Sequence, residues 1–118
     1  MDTKELGRQG EAAAAEYLAG HGYRIYARNF RAPVGEIDII AGQPGLVVFV
    51  EVKTRRSLRC GTPATAVNYR KQQKIIQTAR WFIRQRHLEE CLCRFDVIEV
   101  YAGSGGLQIR QLQGAFEA

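Results

Sequence analysis

The stretch from Gly35 to Lys53, GEIDIIAGQPGLVVFVEVK, decides the fold. It holds two runs of strand composition, Gly35 to Ala41 and Leu46 to Lys53, on either side of Gly42-Gln43-Pro44-Gly45, whose residues are those of a turn. Side chains alternate between faces along a strand. In the second run Val48, Val50 and Val52 therefore share one face, and Val47, Phe49, Glu51 and Lys53 share the other. In the first run Glu36 and Asp38 share a face while Ile37 and Ile39 take the other. If the two strands pair in an odd register, Asp38 stands beside Glu51. An odd loop length would spoil that pairing unless a bulge restored it.

Outward from this pair the chain reads helix, three strands, long helix, two strands. Thr3 to Gly20 is the first helix, with Asp2 or Thr3 as its cap, four central alanines, and Gly20-His21-Gly22 as its stop. Tyr23 to Phe30 is the first strand, followed by the linker Arg31-Ala32-Pro33. Thr62-Pro63 is expected to open the long helix. Ile75, Ile76, Ala79, Phe82 and Ile83 form its apolar stripe, with Arg70, Lys74, Arg80 and Arg84 opposite and Lys71 on the flank. Arg94 to Tyr101 and Leu107 to Leu112 complete the strands around Ala102-Gly103-Ser104-Gly105-Gly106. The expected architecture is an α/β sandwich on a mixed sheet, one domain over residues 1–118.

Of the 118 residues, 46% are hydrophobic and 25% charged, which excludes disorder as the dominant state. The longest apolar run, Leu46 to Val50, is far short of the ~20 residues of a membrane span, so no membrane is expected. The opening residues have no signal-peptide pattern, and three cysteines are an odd count for a disulfide framework. A cytoplasmic location is the expectation. The net charge of +5 is unevenly placed: nine Lys or Arg and no acid lie between Thr54 and Leu88. Such a block fits a polyanion, nucleic acid first, or else a solvated helix face.

Two carboxylates set close together repel unless a cation sits between them. Hard oxygen ligands with room for water suit Mg²⁺. A metal there polarises a phosphodiester and acidifies a water, while a neighbouring lysine orients that water or neutralises developing charge. Asp38, Glu51 and Lys53 are thus parts for phosphodiester hydrolysis; read alone, Glu51 and Lys53 are also a plain surface ion pair. Glu11 has Gly7, Ala14, Ala15 and Leu18 as helical neighbours, which turns it towards the protein and a partner, or leaves it facing solvent over an alanine surface. Cys91 and Cys93, with Cys60 and His87, are spaced too tightly for a usual zinc site. Trp81 and Phe82 are expected to pack rather than to stack on bases.

Gly10-Glu11 with Ala14 and Tyr17-Leu18, Gly22-Tyr23, Asn29, Gly35-Glu36-Ile37-Asp38, and Val48 to Lys53 with Arg55 resemble the YraN family of small bacterial proteins, and Arg94-Phe95-Asp96-Val97 fits its later strand. The resemblance covers nearly the whole chain. That family resembles the restriction-endonuclease-like, PD-(D/E)xK nuclease superfamily, and is similar to archaeal Holliday junction resolvases in its helix glutamate. The resemblance implies a three-layer sandwich around a mixed five-stranded sheet. It implies a Mg²⁺-dependent endonuclease, Mn²⁺ substituting, acting on DNA that includes branched forms. Asp38 and Glu51 would hold the metal, Glu11 would complete or tune the site, and Lys53 would assist the attacking water. Ile37 stands where the superfamily motif often has Pro. Arg55, Arg56, Arg70, Lys71 and Lys74 would grip phosphates, with binding that falls steeply as salt rises. A homodimer would match the two symmetric cleavage points of a junction. The rival expectation is a nuclease fold that only binds nucleic acid or recruits a partner.

Overall fold

A computed structural model describes residues 2–56 and 67–118. Helix α1 spans Thr3–Gly20, capped by Asp2, whose carboxylate accepts from the Glu5 N–H at 2.7 Å. Strands β1 (Arg24–Ala32), β2 (Gly35–Gln43) and β3 (Leu46–Arg55) follow as an antiparallel meander. Helix α2 spans Tyr69–Arg86, and strands β4 (Leu92–Gly103) and β5 (Gly106–Phe116) close the chain. All seven expected elements are present, all five strands longer than expected, by one to five residues. The start of α2 differs. Asn68 caps it, accepting from the Lys71 N–H at 2.8 Å, and Thr62-Pro63 lie outside the described residues.

The sheet order is β1-β2-β3-β4-β5, with β3 and β4 parallel and every other pair antiparallel. The two helices cover opposite faces. Ile75, Ile76, Ala79 and Phe82 of α2 pack on Ile37, Ile40, Val47, Phe49, Phe95 and Val97. Ala14 and Leu18 of α1 pack on Ile39, Ala41, Val48, Val50, Ile98 and Val100. The result is a three-layer α/β sandwich with one apolar layer under each helix. Phe49 and Val50, adjacent in sequence, belong to different layers, as alternation requires.

Pro44 and Gly45, the latter at φ +75°, make the two-residue β2–β3 turn, the residue pair that a type II turn favours. That loop length pairs Gln43 with Leu46 and fixes the register through Ile39↔Val50. On β4, Asp96 is fully buried yet satisfied. It accepts from Arg94 Nε and Nη2, both at 2.9 Å, from Gln111 Nε2 at 3.0 Å and from the Gly114 N–H at 2.9 Å. Arg94 also donates to the Tyr23 hydroxyl at 2.6 Å, tying β4 to the chain after α1. Sequence reading gave Arg94 and Asp96 only as parts of a strand, although their i, i+2 spacing on one face was the available signal.

Helix α1 lies close to β3 at Gly10, where an added Cβ would come within 2.0 Å of Thr54 Oγ1 and 2.9 Å of Thr54 Cβ. Gly10→Ala is therefore expected to destabilise by roughly 1–3 kcal/mol despite the better helix propensity of alanine. Urea unfolding checks this; a stabilised variant would mean that α1 can back away from the sheet.

Candidate functional site

The β2–β3 ladder ends at Ile39↔Val50, and one step further in the same register stands Asp38 opposite Glu51. From there β2 continues only with β1, and β3 continues only with β4, so the sheet forks. The Asp38 carboxylate fills the fork and accepts from the Val52 N–H at 2.8 Å, a donor that β2 no longer satisfies. Opposite Asp38 on β1, Asn29 adopts a left-handed φ of +52°. On one side of this point Arg28 and Ile39 are paired across the strands and face α1; on the other Phe30 and Ile37 are paired and lie in the α2 layer. The β1–β2 ribbon thus changes face at the position of Asp38, and Ile37 and Ile39, expected on one face, lie on opposite faces of the sheet.

Glu51 and Lys53 point to the α2 side. Lys71 of α2 sets its ammonium 3.4 Å from Glu51 Oε2, a buried oxygen that has no hydrogen-bond partner among the described residues. Lys53 is half-buried and pairs in register with Glu99, and its side chain makes no hydrogen bond or ion pair among the described residues. Burial pushes the Asp38 carboxyl up to about 7 from an ordinary 3.8. Glu51 adds to this through a hydrogen bond to the protonated form and through like charge, against the Val52 N–H and Lys71, which favour ionisation. A carboxyl raised by burial and by a second acid beside it is the electrostatic signature of the fork.

Glu11 lies on the other side. Its Oε1 accepts from Asn29 Nδ2 at 2.8 Å and from Arg28 Nη2 at 3.4 Å. With Arg8, Asp38 and Thr54 it lines a cleft of about 530 Å³ between α1 and the fork. Asp38 is thus the member common to both sides, joined to Glu51 on one and sharing the cleft with Glu11 on the other. Among the described residues no three of His, Cys, Asp or Glu gather as a ready-made metal cage. Cys91 and Cys93 are free thiols, and Cys60 lies outside the described residues.

The cations divide as well. Arg56, Arg70 and Lys74 are exposed. Lys71 is exposed but engaged by Glu51, and Arg55 turns inward, its Nε 3.7 Å from Glu99. Glu99, only 1% exposed, faces Arg110 at 3.8 Å as well. Asn29 stood in the sequence only among the residues that carry the family resemblance, with no role, and Glu99 was not singled out at all. For Glu99 a signal existed, a charged residue amid the apolar run Val97-Ile98-Glu99-Val100.

A model of the uncharacterised protein family UPF0102 matches residues 10–100. A UPF0102 protein of Symbiobacterium thermophilum is 49% identical over 98% of this chain and 99% of its own length. One of Caldicellulosiruptor saccharolyticus is 44% identical over 98% and 100%, and one of Chlorobium limicola 52% identical over 86% and 78%. Among solved structures, Pyrococcus furiosus SfsA in complex with Ca²⁺ aligns with a TM-score of 0.44 and 17% identity. That alignment covers 95% of this chain and 63% of the SfsA chain, under two thirds of its length.

Proposed function

Since the chain belongs to the protein family UPF0102, the YraN family that its motifs resemble, we propose that it is a metal-dependent endonuclease of the PD-(D/E)xK type, hydrolysing phosphodiester bonds of DNA, branched DNA included. The observation that carries this reading is the Asp38–Glu51 pair at the fork, with Lys53 two residues beyond. The donor set fits Mg²⁺, with Mn²⁺ as a substitute. Its donors are carboxylate oxygens, one of them is buried without a hydrogen bond among the described residues, and burial, with Glu51 beside it, raises the Asp38 carboxyl to about 7. Two protein carboxylates suffice, because Mg²⁺ commonly fills its other positions with water and phosphate.

Asp38 and Glu51 would hold the ion, and Glu11, fixed by Asn29 and Arg28, would tune the site across the cleft. A bound divalent ion would supply charge neutralisation at the phosphate and a more acidic water. Lys53, without a protein partner among the described residues, holds that water or meets the charge that develops. Arg56, Arg70 and Lys74 bind backbone phosphates from exposed positions. A homodimer belongs to the same proposal, because a four-way junction presents two symmetric scissile bonds. Among the described residues no helix is long and apolar enough to cross a membrane.

One observation favours a second reading, a module that binds nucleic acid without cutting it. Lys71 already offers an ammonium to Glu51 at 3.4 Å, where a metal-free site would want one. Incubation with labelled four-way junction, flap, duplex and single-stranded DNA, in Mg²⁺, Mn²⁺ or EDTA, separates the two. Cleavage that requires the metal supports the nuclease. Salt-sensitive binding with no product in any metal leaves the binding module.

A further inference from the structure

Helix α2 carries no acidic residue. Its outward face, opposite the stripe that packs on the sheet, consists of Arg70, Lys74, Gln77, Trp81 and Arg84, all exposed. Trp81 was expected to pack; its neighbour Phe82 does, at 0% exposure, whereas Trp81 is 48% exposed. The reason is angular. At ~100° per residue Trp81 lies within ~20° of Arg70 and ~150° from the middle of the buried stripe. Among the described residues its ring stacks on no other ring, lies under no guanidinium, and its indole N–H has no protein acceptor.

We propose that this face is a stacking platform for unpaired nucleotides: Trp81 takes the face of a base while Arg70, Lys74 and Arg84 take the flanking phosphates. Charge complementarity selects a polyanion, and the ring selects among polyanions. The bases of a duplex are already stacked on one another, and acidic polypeptides carry no π-face, whereas every unpaired base does. The platform lies about 15 Å along the helix from Lys71, the residue that touches Glu51. A strand held there runs towards the fork. The inference rests on the nucleic-acid part of the reading above and not on cleavage. It narrows the ligand to nucleic acid that carries an unpaired segment.

Trp81 is the only tryptophan of the chain, so its emission reports on the platform alone. Oligothymidylate is expected to quench it saturably, less so as salt rises, whereas a blunt duplex leaves it unchanged. By anisotropy of labelled oligothymidylate, Trp81→Ala should bind about tenfold more weakly, and Trp81→Phe within about threefold of wild type. Duplex affinity should be the same in all three proteins. Oligothymidylate that binds by anisotropy without quenching Trp81 would overturn the platform and leave nucleic-acid binding standing. Equal quenching by polyglutamate, or an emission change on raising the protein concentration alone, would also overturn it, for an acidic protein or a second copy. No binding of any DNA by either readout would remove both the platform and the nucleic-acid reading.

Discussion

Asp38→Ala and Lys53→Ala are each expected to reduce metal-dependent cleavage by at least about 10²–10³-fold, the range that follows loss of one preorganised charged group in a site of this kind. The two losses should differ in character. Without Asp38 the fork retains one carboxylate and Lys71, a pair with no excess negative charge to attract a divalent ion. Calorimetric Mg²⁺ binding should therefore disappear together with activity. Lys53 contributes no anionic ligand, so Lys53→Ala should still take up Mg²⁺ and bind DNA within about threefold of wild type while failing to cut. Lys53→Arg should not restore cleavage, because a planar fork cannot replace a compact ammonium at a single water. Cleavage that persists in Lys53→Ala removes this residue from the mechanism. Persistence in both variants removes the site.

Asp38→Asn should stabilise the protein in EDTA at pH 8 by roughly 2–4 kcal/mol, the effect being largest where the wild-type carboxyl is ionised. The folded state raises the Asp38 carboxyl to about 7, whereas in the unfolded chain it titrates near 3.8. Between those values the folded protein keeps a proton that the unfolded chain has released. Wild-type stability is therefore greatest below about pH 4 with respect to this group. It falls as pH rises towards 7, then levels off. Asparagine retains an acceptor for the Val52 N–H and cannot ionise, so its advantage should vanish near pH 4. Mg²⁺ should close the gap from the wild-type side, since only an ionised fork gains from the ion. Urea unfolding of both proteins from pH 4 to 8, with and without Mg²⁺, measures all of this. A variant less stable than wild type at pH 8 would mean that the Val52 N–H and Lys71 already compensate the Asp38 charge. Stability lost at a site in this way is a usual cost of function.

Much of this was legible in the chain. Alternation alone divided Val47, Phe49 and Glu51 from Val48 and Val50, and the structure keeps that division between its two apolar layers. The two-residue Pro44-Gly45 turn set the odd register that puts Asp38 beside Glu51. What alternation could not supply was which helix covers which face. Glu11 and Glu51 were expected in one cluster, but α1 and α2 pack on opposite sides, so Asp38 has to serve both. The local face change at Asn29 was equally out of reach, because a single left-handed residue within a strand leaves no periodic signal. Trp81 is a different case. Its helical angle was readable, and the general tendency of large aromatics to be buried was allowed to outweigh it.

The order of strands across the sheet repeats their order along the chain, and this has a kinetic meaning. The meander β1-β2-β3 closes through Pro33-Val34 and Pro44-Gly45, and the β4–β5 hairpin through Ser104-Gly105. Local closures of this kind take microseconds, whereas the parallel β3–β4 ladder must wait for α2 and its connections to cross over. Asp38 and Glu51 both belong to the meander, and Lys71 arrives with the crossover. During folding, then, the two acids come face to face before the ammonium that offsets them, and the slowest closure is the one that brings the relief.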